Sequence, residues 1–157
     1  MLSLLFFTAL ISLFIYAALS IFVDVFIFSK LYRHTKINPL FWKVVYQDLH
    51  SNYRNKNPFF SAEYKNFRIR GNPDLLFRFR LLPIYILVDY KSRQGPLPNL
   101  YETTQLTLYM WIIKKKRPFC SVKSFVRYGS GTLTPVHYSP YTATQILAAA
   151  PKLPTYD

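Results

Sequence analysis

The sequence has almost no cysteine and few acidic residues. Cys120 is the only cysteine, which excludes an internal disulfide and any zinc or iron–sulfur site built on several thiolates. Asp and Glu number 7 against 20 Lys and Arg, giving a formal net charge of +13. A chain this basic predicts an anionic partner, either nucleic acid or an anionic lipid surface. The alternative is a solvated basic surface that only fixes the orientation of a membrane anchor.

The first part of the chain lacks charge, proline and glycine. The run from Leu2 to Val23 contains none of these, and at about 1.5 Å per residue it can span a hydrocarbon core of about 30 Å. A cleaved signal peptide is the competing interpretation, but no basic residue precedes the apolar run. Lys30, Arg33 and Lys36 follow it. The positive-inside rule then predicts a single-pass protein with a cytoplasmic C-terminal domain, at the inner membrane if the source is bacterial.

We divide the chain into an anchor (1–29), a basic segment with a first soluble helix (30–58) and a core (59–157). Asn38-Pro39 is typical of a helix N-cap followed by the first helical residue. This pair predicts a helix that runs to about His50. Period-two alternation, broken by turn signals, predicts three short strands between Phe59 and Tyr90.

The second half of the chain predicts further elements. Asn99 and Glu102 are spaced as a capping box, which predicts a helix up to Lys116. Two strands flanking Gly129-Ser130-Gly131 predict a hairpin. Ser139-Pro140 begins a final helix that stops at Pro151. The expected fold is therefore α+β: after the anchor come a helix, three strands, a helix, a strand pair and a helix.

Two sets of residues alternate along the predicted strands from 67 to 80. The apolar set predicts a core face and comprises Phe67, Ile69, Leu75, Phe77 and Phe79. The polar set places one acid among four arginines and comprises Arg68, Arg70, Asp74, Arg78 and Arg80. If the alternation continues in the same register across the kink at Gly71-Asn72-Pro73, one face of the strands belongs to the core and the other is strongly basic.

Two aspartates stand at the ends of predicted strands. Asp74 follows Pro73, and Asp89 ends the apolar strand from Ile84, so a hairpin would place the two carboxylates side by side. Mg²⁺ prefers oxygen ligands, and these carboxylates with the backbone carbonyl of Tyr90 could supply three. Lys91 shares a strand face with Asp89 and could orient a water or stabilise charge on a phosphate. The alternative is a simple turn at Pro73 and an exposed Asp89–Lys91 pair.

Pro73-Asp74 and Asp89-Tyr90-Lys91 together resemble the motifs of the PD-(D/E)XK nuclease superfamily. The chain looks closest to the RecB-like and CRISPR-associated exonuclease branch, in which a Gln precedes a Tyr by four residues on the next helix, as Gln105 and Tyr109 do here. It lacks the four cysteines that hold an iron–sulfur cluster in many of those exonucleases. Gln105 and Tyr109 could instead be ordinary helix-surface residues.

This resemblance implies a restriction-endonuclease-like αβββαβ core with a central mixed sheet, and a site that uses Mg²⁺ or Mn²⁺. It implies catalytic roles for Asp74, Asp89, Lys91, Gln105 and Tyr109. The family also has an acid or His before the first core strand. His50 is the best match for a further metal ligand, and Glu63 is the next.

The main functional hypothesis is a membrane-anchored, divalent-metal-dependent deoxyribonuclease that acts in DNA defence, uptake or processing. Its phosphate contacts would be sequence-nonspecific and would come from Arg68, Arg70, Arg78, Arg80 and Arg93. A second hypothesis is a non-enzymatic, membrane-tethered module that binds nucleic acid or a protein partner through a nuclease-like fold. A third is a lipid-binding basic domain, which would need no acid pair.

Overall fold

The computed structural model describes residues 2–47, 60–95 and 97–149. It is an α+β protein with a long N-terminal apolar helix and a mixed five-stranded sheet. The elements in chain order are α1 (Leu2–Thr35), β1 (Trp42–Gln47), β2 (Ser61–Tyr64), β3 (Phe67–Arg70), β4 (Leu75–Phe79), β5 (Ile84–Lys91), α2 (Leu100–Lys116), β6 (Ser121–Tyr128), β7 (Leu133–Val136) and α3 (Pro140–Ala149).

Helix α1 is long and apolar enough to cross a membrane over Leu5–Thr35. It continues through the predicted anchor boundary at residue 29, with one non-helical residue, Phe28 (φ −108°, ψ 20°). Beyond this point its apolar side chains pack on the domain. Tyr32 is buried against Phe77, and its hydroxyl donates a hydrogen bond to the carbonyl oxygen of Trp42 (3.0 Å). The end of α1 is therefore part of the folded domain.

The predicted first helix from Asn38 is wrong over its described part. Asn38 instead forms a turn: its side-chain oxygen accepts from the backbone N–H of Leu40 (2.9 Å), and its carbonyl accepts from Trp42 (3.2 Å). Asn commonly initiates such turns. The following residues form β1, because its aromatic and β-branched side chains favour a pleated, half-buried strand. Residues 48–59, including His50, lie outside the described residues.

The sheet has the order β1-β4-β5-β6-β7. β4 pairs antiparallel with both β1 and β5, and β7 pairs antiparallel with β6. β5 and β6 are parallel and are connected through α2. β2 and β3 form a separate two-stranded hairpin. Four strands thus replace the three predicted between 59 and 90, because the turn residues at Lys65-Asn66, Gly71-Asn72-Pro73 and Pro83 each separate two strands.

The predicted single apolar face does not continue from β3 into β4, because these strands belong to different sheets. Leu75, Leu76 and Phe77 are all buried. Leu76 joins the core beneath α2, while Leu75 and Phe77 join the core beneath α1. A helix covers each face of the sheet, so the side chains of β4 that point to either face are apolar at this point.

Two local predictions are confirmed. The Asn99 side chain accepts from the N–H of Glu102 (2.8 Å), and the Glu102 carboxylate accepts from the N–H of Asn99 (3.0 Å), so α2 begins with a capping box. β6 and β7 flank the glycine-rich turn as a hairpin, and Gly131 adopts φ +84° there. That conformation favours glycine because it has no β-carbon.

Candidate active site

The two aspartates lie where β4 begins and β5 ends. Leu75 pairs with Val88 across these antiparallel strands, so one further step of the register places Asp74 opposite Asp89. Opposing residues of such a pair share a face, with β-carbons about 5 Å apart. Asp89 is buried, with 2% of its surface exposed, whereas Asp74 is half-buried. Asp74 Oδ2 accepts a hydrogen bond from the backbone N–H of Tyr90 (2.5 Å), which fixes it beside the end of β5.

Lys91 lies on the same face as Asp89. Its Nζ is 2.7 Å from Asp89 Oδ2, so the buried carboxylate is paired with an ammonium. Burial alone would lower the pKa of Lys91. The ion pair with Asp89, with further contributions from Asp74 and Glu102, outweighs burial and raises that pKa above its ordinary value. Lys91 is therefore a cation at neutral pH.

A chain of hydrogen bonds joins α2 to these residues. Lys91 Nζ donates to Gln105 Oε1 (3.4 Å), and Gln105 Nε2 donates to the Tyr109 hydroxyl (2.8 Å). That hydroxyl donates to the carbonyl of Asn72 (3.2 Å) in the loop before Asp74. Burial raises the pKa of Tyr109, so its hydroxyl keeps its proton. The structure thus brings together five predicted site residues, namely Asp74, Asp89, Lys91, Gln105 and Tyr109.

The start of α2, which positions Gln105, is anchored by Glu102. This carboxylate is buried and binds Arg93 (2.6 Å) in addition to the backbone of Asn99. The Tyr128 hydroxyl also donates to it (3.2 Å). The hydrogen bond from Arg93 lowers the pKa of Glu102. Glu102 therefore ties α2 to the loop after β5 and to the end of β6.

The predicted phosphate-binding arginines are placed differently from one another. Three are in ion pairs: Arg68 with Glu63 (2.8 Å), Arg80 with Asp24 (2.6 Å) and Arg93 with Glu102 (2.6 Å). Arg78 has a buried Nε without a hydrogen bond. Arg70 is exposed at the end of β3 and lines a cavity of about 240 Å³ together with Gln105 and Tyr109. Arg70 thus shares a cavity with two of the candidate site residues.

Sequence reasoning missed the contribution of α1 to this site. A cleft of about 550 Å³ separates α1 from the sheet and is lined by Asp74 and Tyr90 on one side, and by Lys30 and His34 on the other. Lys30 and His34 are one helical turn apart and lie on one face of α1. The spacing of Lys30 and His34 can be read from the sequence. Asp74 and Tyr90, which lie across the cleft from them, are more than 35 positions later in the chain.

The predicted metal donors are only partly assembled. Among the described residues, no group of three or more His, Cys, Asp and Glu side chains could hold a metal ion. Glu63 lies on the separate hairpin, paired with Arg68, and His50 falls outside the described residues. Asp74 and Asp89 remain, beside Tyr90. Two carboxylates completed by water are a common arrangement for Mg²⁺, and a metal here would compete with Lys91 for the buried Asp89 oxygen.

No protein-family model, curated protein or solved structure matches the chain.

Proposed function

We propose that this protein is a membrane-anchored, divalent-metal-dependent nuclease that hydrolyses DNA phosphodiester bonds. The observation that carries the proposal is the convergence of Asp74, Asp89 and Lys91, with Gln105 and Tyr109 linked to them through α2. These residues come from separate elements, and the Tyr109 hydroxyl also bonds the carbonyl of Asn72, 37 positions earlier in the chain. A simple turn or an exposed ion pair would not require that assembly.

The order of elements supports the same reading if β2 and β3 are an insertion. The docked end of α1 would then take the place of the first helix, followed by β1, β4, β5, α2 and β6. With that assignment the elements would follow the αβββαβ order that the resemblance implies. The helix before the first core strand would then be residues 28–35, upstream of the position expected from Asn38.

Asp74 and Asp89 would hold Mg²⁺ or Mn²⁺, which when bound would polarise the scissile phosphate and promote attack by water. Lys91, whose ammonium is paired with Asp89 in this structure, would stabilise negative charge on the phosphate by donating from that ammonium. Gln105 holds that ammonium from the other side, and Tyr109 fixes which end of the Gln105 amide faces Lys91.

The cations around the site suit a phosphate backbone. Arg70 lies by the β3 side, and Lys30 lies across the cleft from Asp74. None of the described features is arranged to read base edges, so binding would be sequence-nonspecific. The basic residues after the apolar run would keep this domain on the cytoplasmic side.

The test uses the full chain in nanodiscs with linear double-stranded and single-stranded DNA. Cleavage should require Mg²⁺ or Mn²⁺ and stop with EDTA. Asp74→Asn and Asp89→Asn should each abolish it, and Lys91→Met should reduce it about 100-fold or more. Glu63→Gln is the matched control, because its carboxylate is also ion-paired but lies on the exposed hairpin; it should cleave like the wild type.

A second measurement detects the metal without cleavage. Mg²⁺ at about ten times its Kd should stabilise the wild type by about 1.4 kcal/mol. Asp89→Asn should lose this effect and Glu63→Gln should keep it. If the wild type shows neither cleavage nor metal-linked stabilisation, the non-enzymatic module is the better reading. The existing Asp89–Lys91 ion pair, which needs no metal, favours that alternative.

A further inference from the structure

The end of the sheet opposite the candidate active site exposes apolar side chains on three loops. These are Leu40 and Phe41 before β1, Leu81 and Leu82 after β4, and Phe119 before β6. Leu81 is 82% exposed and Phe119 is 94% exposed. We call these five residues the loop end. An apolar group of this kind on a surface usually marks an interaction site.

Backbone hydrogen bonds hold the three loops next to one another. The N–H of Arg80 donates to the carbonyl of Phe41 (2.8 Å), which joins the first loop to the second. The N–H of Ser121 donates to the carbonyl of Pro83 (3.0 Å), which joins the second loop to the third. The exposed apolar side chains therefore belong to one continuous end of the molecule.

Cationic residues border the loop end where helix α2 finishes. These are Lys114, Lys115 and Lys116, with Arg117 following immediately. Asp24 also lies at this end, and it is neutralised by Arg80 at 2.6 Å. The loop end therefore combines apolar side chains with a positive border, which is the chemistry of a surface that meets an anionic membrane.

Helix α1 shows which way the loop end faces. Asp24 of α1 contacts Arg80, just past the C-terminal end of β4, whereas Lys30 and His34 face Asp74 at its N-terminal end. β4 therefore runs antiparallel to α1 and points its C-terminal end toward the apolar part of the helix. From residue 5 to 23 that part is about 30 Å long, which is about the thickness of the hydrocarbon core. Asp24, Arg80 and the loop end then lie at headgroup level.

We propose that the loop end is seated in the headgroup layer of an anionic bilayer. The apolar side chains enter the interface, and the α2 cations contact lipid phosphates. The domain is then held at the membrane by two connections, α1 and the loop end, with the candidate active site facing away from the lipid. This inference rests on the membrane-anchor part of the proposed function and is independent of nuclease activity.

The test measures the depth of a spin label on the full chain in nanodiscs that contain phosphatidylglycerol. Labels are attached at Leu81→Cys and, as a control, at Leu100→Cys, both in a Cys120→Ala background. Leu100 is an equally exposed leucine (84%), but it lies at the start of α2, at the opposite end of the molecule. Collisions with oxygen, which partitions into lipid, are compared with collisions with a water-soluble nickel chelate.

The ratio of oxygen to nickel collisions should be several-fold higher at position 81 than at position 100. Phe119→Cys, on a different loop, should behave like position 81, which guards against a local folding defect. Replacing phosphatidylglycerol with phosphatidylcholine should lower the ratio at position 81, and a ratio insensitive to lipid charge would overturn the role of the cations.

Equal ratios at 81 and 100 would place the loop end in water. Protection of position 81 from both reagents would mean that a protein, such as a second copy, covers it. Either of these last two results overturns the proposal.

Discussion

Replacing Glu102 with glutamine is expected to destabilise the protein far more than its small change in shape suggests. The carboxylate accepts hydrogen bonds from Arg93 at 2.6 and 3.0 Å, from the N–H of Asn99 at 3.0 Å and from the Tyr128 hydroxyl at 3.2 Å. Its side chain is only 3% exposed. Glutamine removes the charge and points an amide N–H₂ at some of these donors, so buried polar groups lose their partners.

The size of the effect follows from those contacts. A hydrogen bond to a charged group contributes about 1.5–3 kcal/mol. Arg93 is 40% exposed, so water replaces part of its interaction and the two Arg93 bonds do not count in full. We expect Glu102→Gln to lower the free energy of unfolding by about 2–3 kcal/mol, which corresponds to a drop in Tm of about 5–10 °C for a chain of this size.

The destabilisation should depend on pH in a defined direction. The pKa of Glu102 is lowered from 4.5 in the folded protein, chiefly by the hydrogen bond from Arg93. A lowered pKa stabilises the fold above the unfolded value, and this contribution is lost as pH falls through the folded pKa. The difference in Tm between wild type and Glu102→Gln should therefore be constant near neutral pH and shrink below about pH 4.5.

The assay is thermal unfolding of the full chain in detergent micelles, followed by circular dichroism between pH 7 and acid pH. The control is Glu63→Gln, which also breaks an ion pair with arginine, but with side chains that are 70% and 52% exposed. It should cost less than about 1 kcal/mol. Equal losses for the two variants, or a loss for Glu102→Gln that does not change with pH, would refute the assignment of a buried, charged anchor.

Two further experiments test the attachment of α1 and the packing at the candidate site. Asp24→Asn and Arg80→Gln should each destabilise the protein. Because this ion pair is mostly buried, a double-mutant cycle should give a coupling free energy of about 1–2 kcal/mol. A coupling near zero would mean that the packing of α1 on the sheet does not depend on the ion pair. Gly71→Ala should cost about 1–3 kcal/mol and reduce cleavage, because a β-carbon there would overlap the ring of Tyr109. A variant with wild-type stability and activity would show that Tyr109 can move without consequence.

The features that could be predicted from the sequence are those set by neighbouring residues. The capping box needs only Asn99 and Glu102 three positions apart, and the β6–β7 turn needs only its glycines. The apolar strand β5 with an acid near its end was likewise a local pattern. Asp89 and Lys91 share a face simply because strand residues alternate, so their proximity follows from period two.

The prediction of a helix beginning at Asn38 was wrong because the sequence pattern there was ambiguous. Asn38-Pro39 begins either a helix or a turn, and apolar residues at 41, 45 and 49 fit a helical face. The choice was made by tertiary pairing: Trp42 lies opposite Phe79, and Val44 opposite Phe77, on β4. The end of α1 already covers that face of the sheet, so a second helix at residues 38–47 would leave the edge of β4 without a partner.

The arginines show a different limit of prediction from the sequence. Alternation predicts which face of a strand is basic, but it does not show which acids other segments bring to that face. Arg80 meets Asp24 from 56 positions away, and Arg93 meets Glu102 across the loop before α2. Asp24 orients α1 against the sheet through this ion pair, because a half-buried acid on an apolar helix needs a cationic partner.

These ion pairs change what the net charge implies. The arginines paired with Asp24, Glu63 and Glu102 contribute little net positive field, so the remaining cations decide where anions bind. Two groups of basic residues lie at opposite ends of the described domain: Lys30 and Arg70 around the candidate site, and Lys114 to Arg117 beside the loop end. Nucleic acid and anionic lipid were competing explanations for a basic chain. With the two basic regions at opposite ends of one domain, the proposed DNA and lipid surfaces can be occupied at the same time, and each can be removed by mutation without the other.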